Sequence, residues 1–181
     1  MAVVVSNFGI SAVLLPGADL DSAVLDLAAV LEGLVADKFE ILLVSRDASA
    51  AANLQMRRIP LRQVEGTSVA DGAGLARYDL VLIAAADGQF DVRELNHVLD
   101  AIEDGAEMAV GYRPRVTDPL VRAIQRCGGS AEVDCAFTLM RRSVWERMHC
   151  ISTTEARRRG YRVSELRVSH RRPTIGAPVA A

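Results

Sequence analysis

Short apolar runs that alternate with stretches of helical periodicity predict an α/β protein, a three-layer α/β/α sandwich with a mostly parallel central sheet. The runs are Ile10 to Leu15, Phe39 to Ser45, Tyr78 to Ala86 and Ala106 to Pro114, and a change to turn-forming or polar sequence ends each of them. Between the first two, Val24, Leu25, Leu27, Ala28, Val30, Leu31 and Leu34 recur at a spacing that puts an apolar stripe on one side of a helix, as covering a sheet requires. With 181 residues, half of them hydrophobic, the chain can bury a sizeable core. Residues 1–176 are assigned to one domain and 177–181 to a flexible tail.

The elements follow in order. Pro16-Gly17 stops the first strand, and Asp19, Asp21 and Ser22 open the first helix. After the second strand comes an Ala-rich connection, Asp47 to Asn53. Ile59 to Gly66 is expected as an edge strand, because Pro60 cannot donate to a ladder. Gly66 to Ala76 is short enough for a helical turn, Tyr78 to Ala86 is the clearest strand, and Val92 to Asp104 is an amphipathic helix. Beyond the fourth run, Asp118 to Arg126 predicts a brief helix broken at Cys127-Gly128-Gly129-Ser130. The segment from Val133 begins extended and turns helical near Ser143. Thr153 to Gly160 reads as a helix with a glycine cap, and Tyr161 to His170 alternates as a half-exposed strand.

The net charge of −2 gives no reason to expect general affinity for nucleic acid or an anionic membrane. Ten arginines nevertheless crowd the stretch from Arg141 to Arg172, either as a solvated surface or as a patch for phosphate-bearing ligands. Three cysteines without a C-x-x-C pair indicate neither a disulfide framework nor a zinc site, which suits a reduced cytoplasmic setting. The N-terminus lacks the features of a signal peptide and no apolar run reaches spanning length, so contact with a membrane is expected only peripherally, through the surface or a partner. His97, His149 and His170 have no partners at ligand spacing. Met140, Trp145 and Met148 read as core, and Cys135 as packing.

In open α/β sheets ligands bind beyond the carboxyl ends of the strands, where loops and helix N-termini converge with free N–H groups. That places Pro16 to Asp19, Ser45 to Asp47, Asp87 to Gln89 and Gly111 to Arg113 along one rim.

The segment from Tyr78 to Arg122, with its D-G-Q-F-D block at Asp87 to Asp91 and V-G-Y-R-P at Val110 to Pro114, resembles family 2 glycosyltransferases of the GT-A fold. It is most similar to the polyprenyl-phosphate sugar transferases related to dolichol-phosphate mannose synthase. The likeness extends to V-D-C-A-F-T-L-M-R-R at Val133 to Arg142 and to the stretch from Thr153 to Gly176, and covers roughly residues 10–178. The resemblance implies a nucleotide-diphosphate sugar donor, a divalent cation (Mg or Mn), and transfer of a hexose to a lipid phosphate or a hydroxyl. Carried over residue by residue, it assigns Pro16, Asp19, Ser45, Asp87 and Arg113 to the nucleotide sugar. Asp87 and Gln89 go to the metal, and Asp134 serves as the catalytic base. Arg113, Asp134 and Glu155 match arginine, aspartate and glutamate positions of the family.

The departures carry equal weight. Ala85 stands where the first aspartate of D-x-D belongs, so the metal is weakly supported. The opening turn keeps only Asp19, Ser45 and Arg46 replace the base-contacting aspartates with Asp47 displaced, and the stretch between Arg126 and Asp134 is short. Whether the protein is an enzyme is therefore left open. The alternative is a catalytically inactive homologue acting as a binding or scaffolding module, with a homodimer among its arrangements.

Overall fold

The computed structural model describes residues 6–17, 19–47, 49, 54, 58–86, 91–112 and 137–169. Seven strands among them form one sheet: β1 (Ile10–Pro16), β2 (Phe39–Val44), β3 (Leu61–Val64), β4 (Leu80–Ala86), β5 (Met108–Tyr112), β6 (Phe137–Arg141) and β7 (Val163–Arg167). Five α-helices among the same residues accompany it: α1 (Leu20–Val35), α2 (Val69–Ala73), α3 (Leu95–Glu103), α4 (Arg142–Met148) and α5 (Thr153–Arg158). A 3₁₀ turn, Val92–Glu94, leads into α3.

The strand order is β3-β2-β1-β4-β6-β5-β7, and β6 alone runs antiparallel to its two neighbours. Strands alternate their side chains across two covered faces, as a sheet flanked by helices on both sides requires. Ile10, Ala12, Leu14, Leu80, Leu82 and Ala84 join α1 and α3 in one apolar layer. Val13, Leu42, Val81, Ile83 and Met108 join residues of α2, α4 and α5 in the other. Of the expected stripe on α1 the fold buries Val24, Leu27, Ala28 and Leu31, with Leu25, Val30 and Leu34 partly buried against the same layer, and it buries Val35 as well. Each such fully buried aliphatic side chain contributes about 1.5–3 kcal/mol, so this helix is held by packing more than by its caps.

The sequence reading of the elements is reproduced with small shifts at the ends. The segment after Ile59 is an edge strand paired only with β2, and Pro60 lies just outside it, offering its carbonyl to Ile41 N at 2.8 Å. The glycine cap also appears: Gly160 has φ +85°, Tyr161 N bonds Ala156 O and Gly160 N bonds Arg157 O, both at 3.0 Å, which together form a Schellman closure of α5. Met140, Trp145 and Met148 are buried as expected of core residues. One helix end was not legible: α1 stops at Ala36 with φ 55°, a left-handed conformation usually left to glycine. The expected helix Asp118 to Arg126, its break at Cys127 to Ser130, Cys135 and the tail 177–181 lie outside the described residues.

Candidate functional site

The register of the sheet defines a single level near the carboxyl ends of the parallel strands. Gln63, Leu43, Leu14, Ala84, Phe137, Gly111 and Leu166 are cross-strand partners in one continuous line through all seven strands. Counting outward along the sequence from this line, Pro16, Ser45 and Arg113 are each two residues beyond it, and Asp87 is three. Because β6 runs the other way, its first described residue, Phe137, stands at the same margin, and Asp134 precedes it by three residues in sequence. Ala84 and Gly111 are separated only by β6, hence by two strand spacings, about 10 Å. The ends of β1, β2, β4 and β5 and the start of β6 therefore share one margin of the sheet.

Three of the candidate residues are described there. Pro16 is exposed, at the last position of β1 and paired with Ala86. Asp19 is exposed at the start of α1, and its side chain makes no capping hydrogen bond to the helix it precedes. Ser45 is buried just past β2, where its Oγ accepts from Asp47 N at 3.0 Å. Asp47 is tied into the same turn: its Oδ1 accepts from Ser49 Oγ at 2.7 Å and Ser49 N at 2.9 Å, while its carbonyl accepts from Gln63 Nε2. These Ser49 bonds hold the Asp47 carboxyl below the usual carboxylate range. Asp87, Gln89, Arg113 and Asp134 lie outside the described residues.

Two motif residues receive a structural explanation. Asp91, the last residue of the D-G-Q-F-D block, caps the 3₁₀ turn by accepting from Arg93 N at 3.1 Å. Gly111 of V-G-Y-R-P is packed so closely that a Cβ there would sit 2.9 Å from Val168 Cγ1 and 3.2 Å from Phe137 Cδ1. A glycine thus lets β7 and the start of β6 close over β5 at the margin.

Ala85 pairs with Leu15 one step beyond the aligned row, half-buried, and offers no oxygen. Among the described residues no group of three His, Cys, Asp or Glu side chains is placed to hold a metal ion. The described part of the site therefore does not by itself make a cation site.

Glu155, the family-matched glutamate of α5, is engaged within its own helix. Arg158 donates to it from Nε at 2.7 Å and Nη2 at 2.9 Å, and Arg159 donates as well. The Arg158 hydrogen bond, followed by that of Arg159, lowers its pKa to about 2. Arg157 pairs with Glu165 at 2.8 Å and Arg142 with Glu146 at 3.5 Å. Much of the arginine-rich stretch is thus matched by local carboxylates, in line with a solvated surface.

A groove of about 620 Å³ runs between α3 and β7 and reaches the row at Leu166, lined also by His97, Asp100, Asp104, Arg162 and Ser164 among others. Its upper end reaches Glu94, both of whose carboxylate oxygens accept from Ser169 N at 2.9 Å. Sequence reasoning did not select Glu94, since no local periodicity links residues 75 positions apart.

The sheet order, its single antiparallel strand and the flanking helices are those of the GT-A fold of nucleotide-sugar transferases. No protein-family model and no curated protein sequence matches the chain. Among solved structures it is similar to the mannosyltransferase PcManGT from Pyrobaculum calidifontis in complex with GDP-Man and Mn2+. The TM-score there is 0.65 at 17% identity, over 94% of this chain and 59% of that one. It is also similar to glucosyl-3-phosphoglycerate synthase from Mycobacterium tuberculosis in complex with Mn2+ and UDP-glucose, with TM-score 0.64, 13% identity, and 96% and 73% of the two chains covered. Mannosyl-3-phosphoglycerate synthase from Rubrobacter xylanophilus gives TM-score 0.54, 17% identity, and 76% and 55% coverage. The chain spans about three fifths of the length of the mannosyltransferase. At these identities the likeness is one of fold.

Proposed function

We propose that this chain binds a nucleotide-diphosphate sugar at the carboxyl margin of its sheet and transfers the hexose to a lipid phosphate or a hydroxyl, as a polyprenyl-phosphate sugar transferase does. The observation that carries the reading is the single aligned row. It brings the strand ends preceding Ser45, Asp87 and Arg113, and the strand start following Asp134, to one edge of the sheet beside Pro16. A margin where loops from separate strands converge is the ligand position of open α/β sheets. The solved GT-A structures with GDP-Man and UDP-glucose support a nucleotide sugar as its ligand.

In this reading Pro16, Asp19 and Ser45 line the nucleotide side. Asp87 and Gln89 would hold a divalent cation, which would supply positive charge against the leaving diphosphate. Arg113 offers its planar fork to phosphate oxygens. Asp134 accepts the proton of a hydroxyl acceptor, whereas an anionic lipid phosphate is already a nucleophile and needs no base. Among the described residues no helix is long and apolar enough to cross a membrane.

A second reading is an inactive homologue that keeps the margin as a binding surface. Ala85 favours it, since an apolar side chain, paired in register with Leu15, stands where the family carries a carboxylate. Calorimetric titration with UDP-glucose and GDP-mannose, with and without manganese, followed by an assay for donor hydrolysis, separates the two. Manganese-dependent binding with hydrolysis is the expected result. Binding without turnover favours the second reading, and absence of heat with every donor overturns both.

A further inference from the structure

The sheet ends in two edge strands, and the chain treats them differently. At β3, Pro60 O accepts from Ile41 N and Val64 O from Ser45 N, so Leu61 and Gln63 turn their backbone groups outward. That edge is closed from within: Leu61 N bonds Ile59 O at 2.7 Å, and the Gln63 side chain donates to Asp47 O. At β7, Arg162 O accepts from Met108 N and Val168 N donates to Tyr112 O. Val163, Glu165 and Arg167 therefore turn their N–H and C=O groups away from β5. Among the described residues no strand pairs with that side. Glu165 and Arg167 are exposed, and Val163 and Leu166 are half-buried.

An open edge is a template for another strand, and charges placed on it discourage pairing when they meet their own kind. Here the two charges are opposite in sign and two residues apart. Both project from one face of the strand, the face on which Glu165 meets Arg157 of α5 at 2.8 Å. Consider two β7 strands laid antiparallel with their outward groups opposed. Glu165 against Glu165 of a second copy sets like charges face to face, and Glu165 against Val163 leaves the carboxylate without a charge partner across the seam. Glu165 against Arg167 makes two ion pairs by symmetry and brings Leu166 against its own copy at the twofold axis.

We infer that β7 is the surface through which two copies of this chain associate, antiparallel and in the register Glu165 to Arg167, joining their sheets across a twofold axis. Each Glu165 then lies between Arg157 of its own copy and Arg167 of the other. Ser169 N, already engaged by both Glu94 oxygens, bounds the ladder beyond Arg167. A contact this short belongs with weak, concentration-dependent associations. It is independent of the nucleotide-sugar reading.

Sedimentation velocity of the full chain over a concentration series tests it, on the wild type, E165R, R167E and the exchanged double variant E165R/R167E, with circular dichroism to confirm that each is folded. The wild type is expected to dimerise reversibly, and less so in high salt. Each single reversal sets like charges opposite each other twice across the axis and should weaken the dimer about tenfold or more. The exchange should restore most of the affinity, because the charges again oppose each other in sign. A wild type that stays monomeric throughout the series overturns the inference. So does a dimer indifferent to both reversals, or one that the exchange does not rescue.

Discussion

The two margins of the sheet differ in how far their polar groups are engaged with one another. At the amino margin of the parallel strands, polar groups close on one another. Buried Glu40 accepts from Ser11 Oγ at 2.8 Å and from Arg77 N at 2.9 Å, while Ser11 Oγ in turn accepts from Arg77 N and Tyr78 N, both at 3.1 Å. Arg142 donates to the carbonyls of Ala76 and Arg77, and Glu107 accepts from Arg162 N. At the carboxyl margin Ser45, Asp47 and Ser49 close one turn among themselves, but beside them stand exposed Pro16 and an Asp19 that does not cap its own helix. The contrast teaches where to look for function: polar groups that satisfy each other maintain the fold, and groups left facing outward at the converging loops are free to meet a ligand.

The largest effect expected from breaking this contrast is at the amino margin. Glu40→Ala removes a buried acceptor and leaves the Ser11 hydroxyl and the turn before β4 without it, which should lower stability by about 2–3 kcal/mol. Urea unfolding would give that number. Nucleotide-sugar affinity of the folded variant should be unchanged, and a parallel loss of affinity would mean that the two margins are not independent.

A smaller effect belongs to α5, which lies at neither margin's chemistry. Its Glu155 carboxyl has a pKa of about 2 against an ordinary 4.5, because Arg158 and then Arg159 donate to it. A folded pKa below the unfolded one stabilises the protein fully above about pH 4.5, and this contribution is lost as pH falls toward 2. The urea midpoint of wild type should therefore exceed that of E155Q at pH 6, and the gap should close on acidification. The gap should also narrow in high salt, since the pairs are screened by solvent. A donor affinity unaffected by E155Q would mark this glutamate as structural in this chain.

The fold was legible because its signals are local. Leu80 to Ala86 is an uninterrupted apolar run, α1 carries its stripe at helical spacing, and Gly160 marks the end of α5. The turn at Ala36 was not legible, because the sequence offers no glycine where the backbone adopts a left-handed conformation. Which strand ends share the margin was legible, since a strand's last residues reveal which segments reach it, while the binding roles of the residues there are proposals. What sequence could not supply was the pairing between distant segments. The Ser11–Glu40 bond joins residues 29 positions apart, and the Glu94–Ser169 bond joins residues 75 apart, with only the sheet order to bring them together. The roles given to Asp87, Gln89, Arg113 and Asp134 came from resemblance and are tested by binding experiments.

The most direct test of the account is amide NMR of the protein with UDP-glucose and GDP-mannose added in turn, mapping which backbone resonances move. The account predicts shifts at Gly17, Ser45, Ala86 and Tyr112, around the carboxyl margin, with Ser11, Arg77 and Arg142 unmoved. Shifts centred on those three residues, or confined to the groove between α3 and β7, would contradict it.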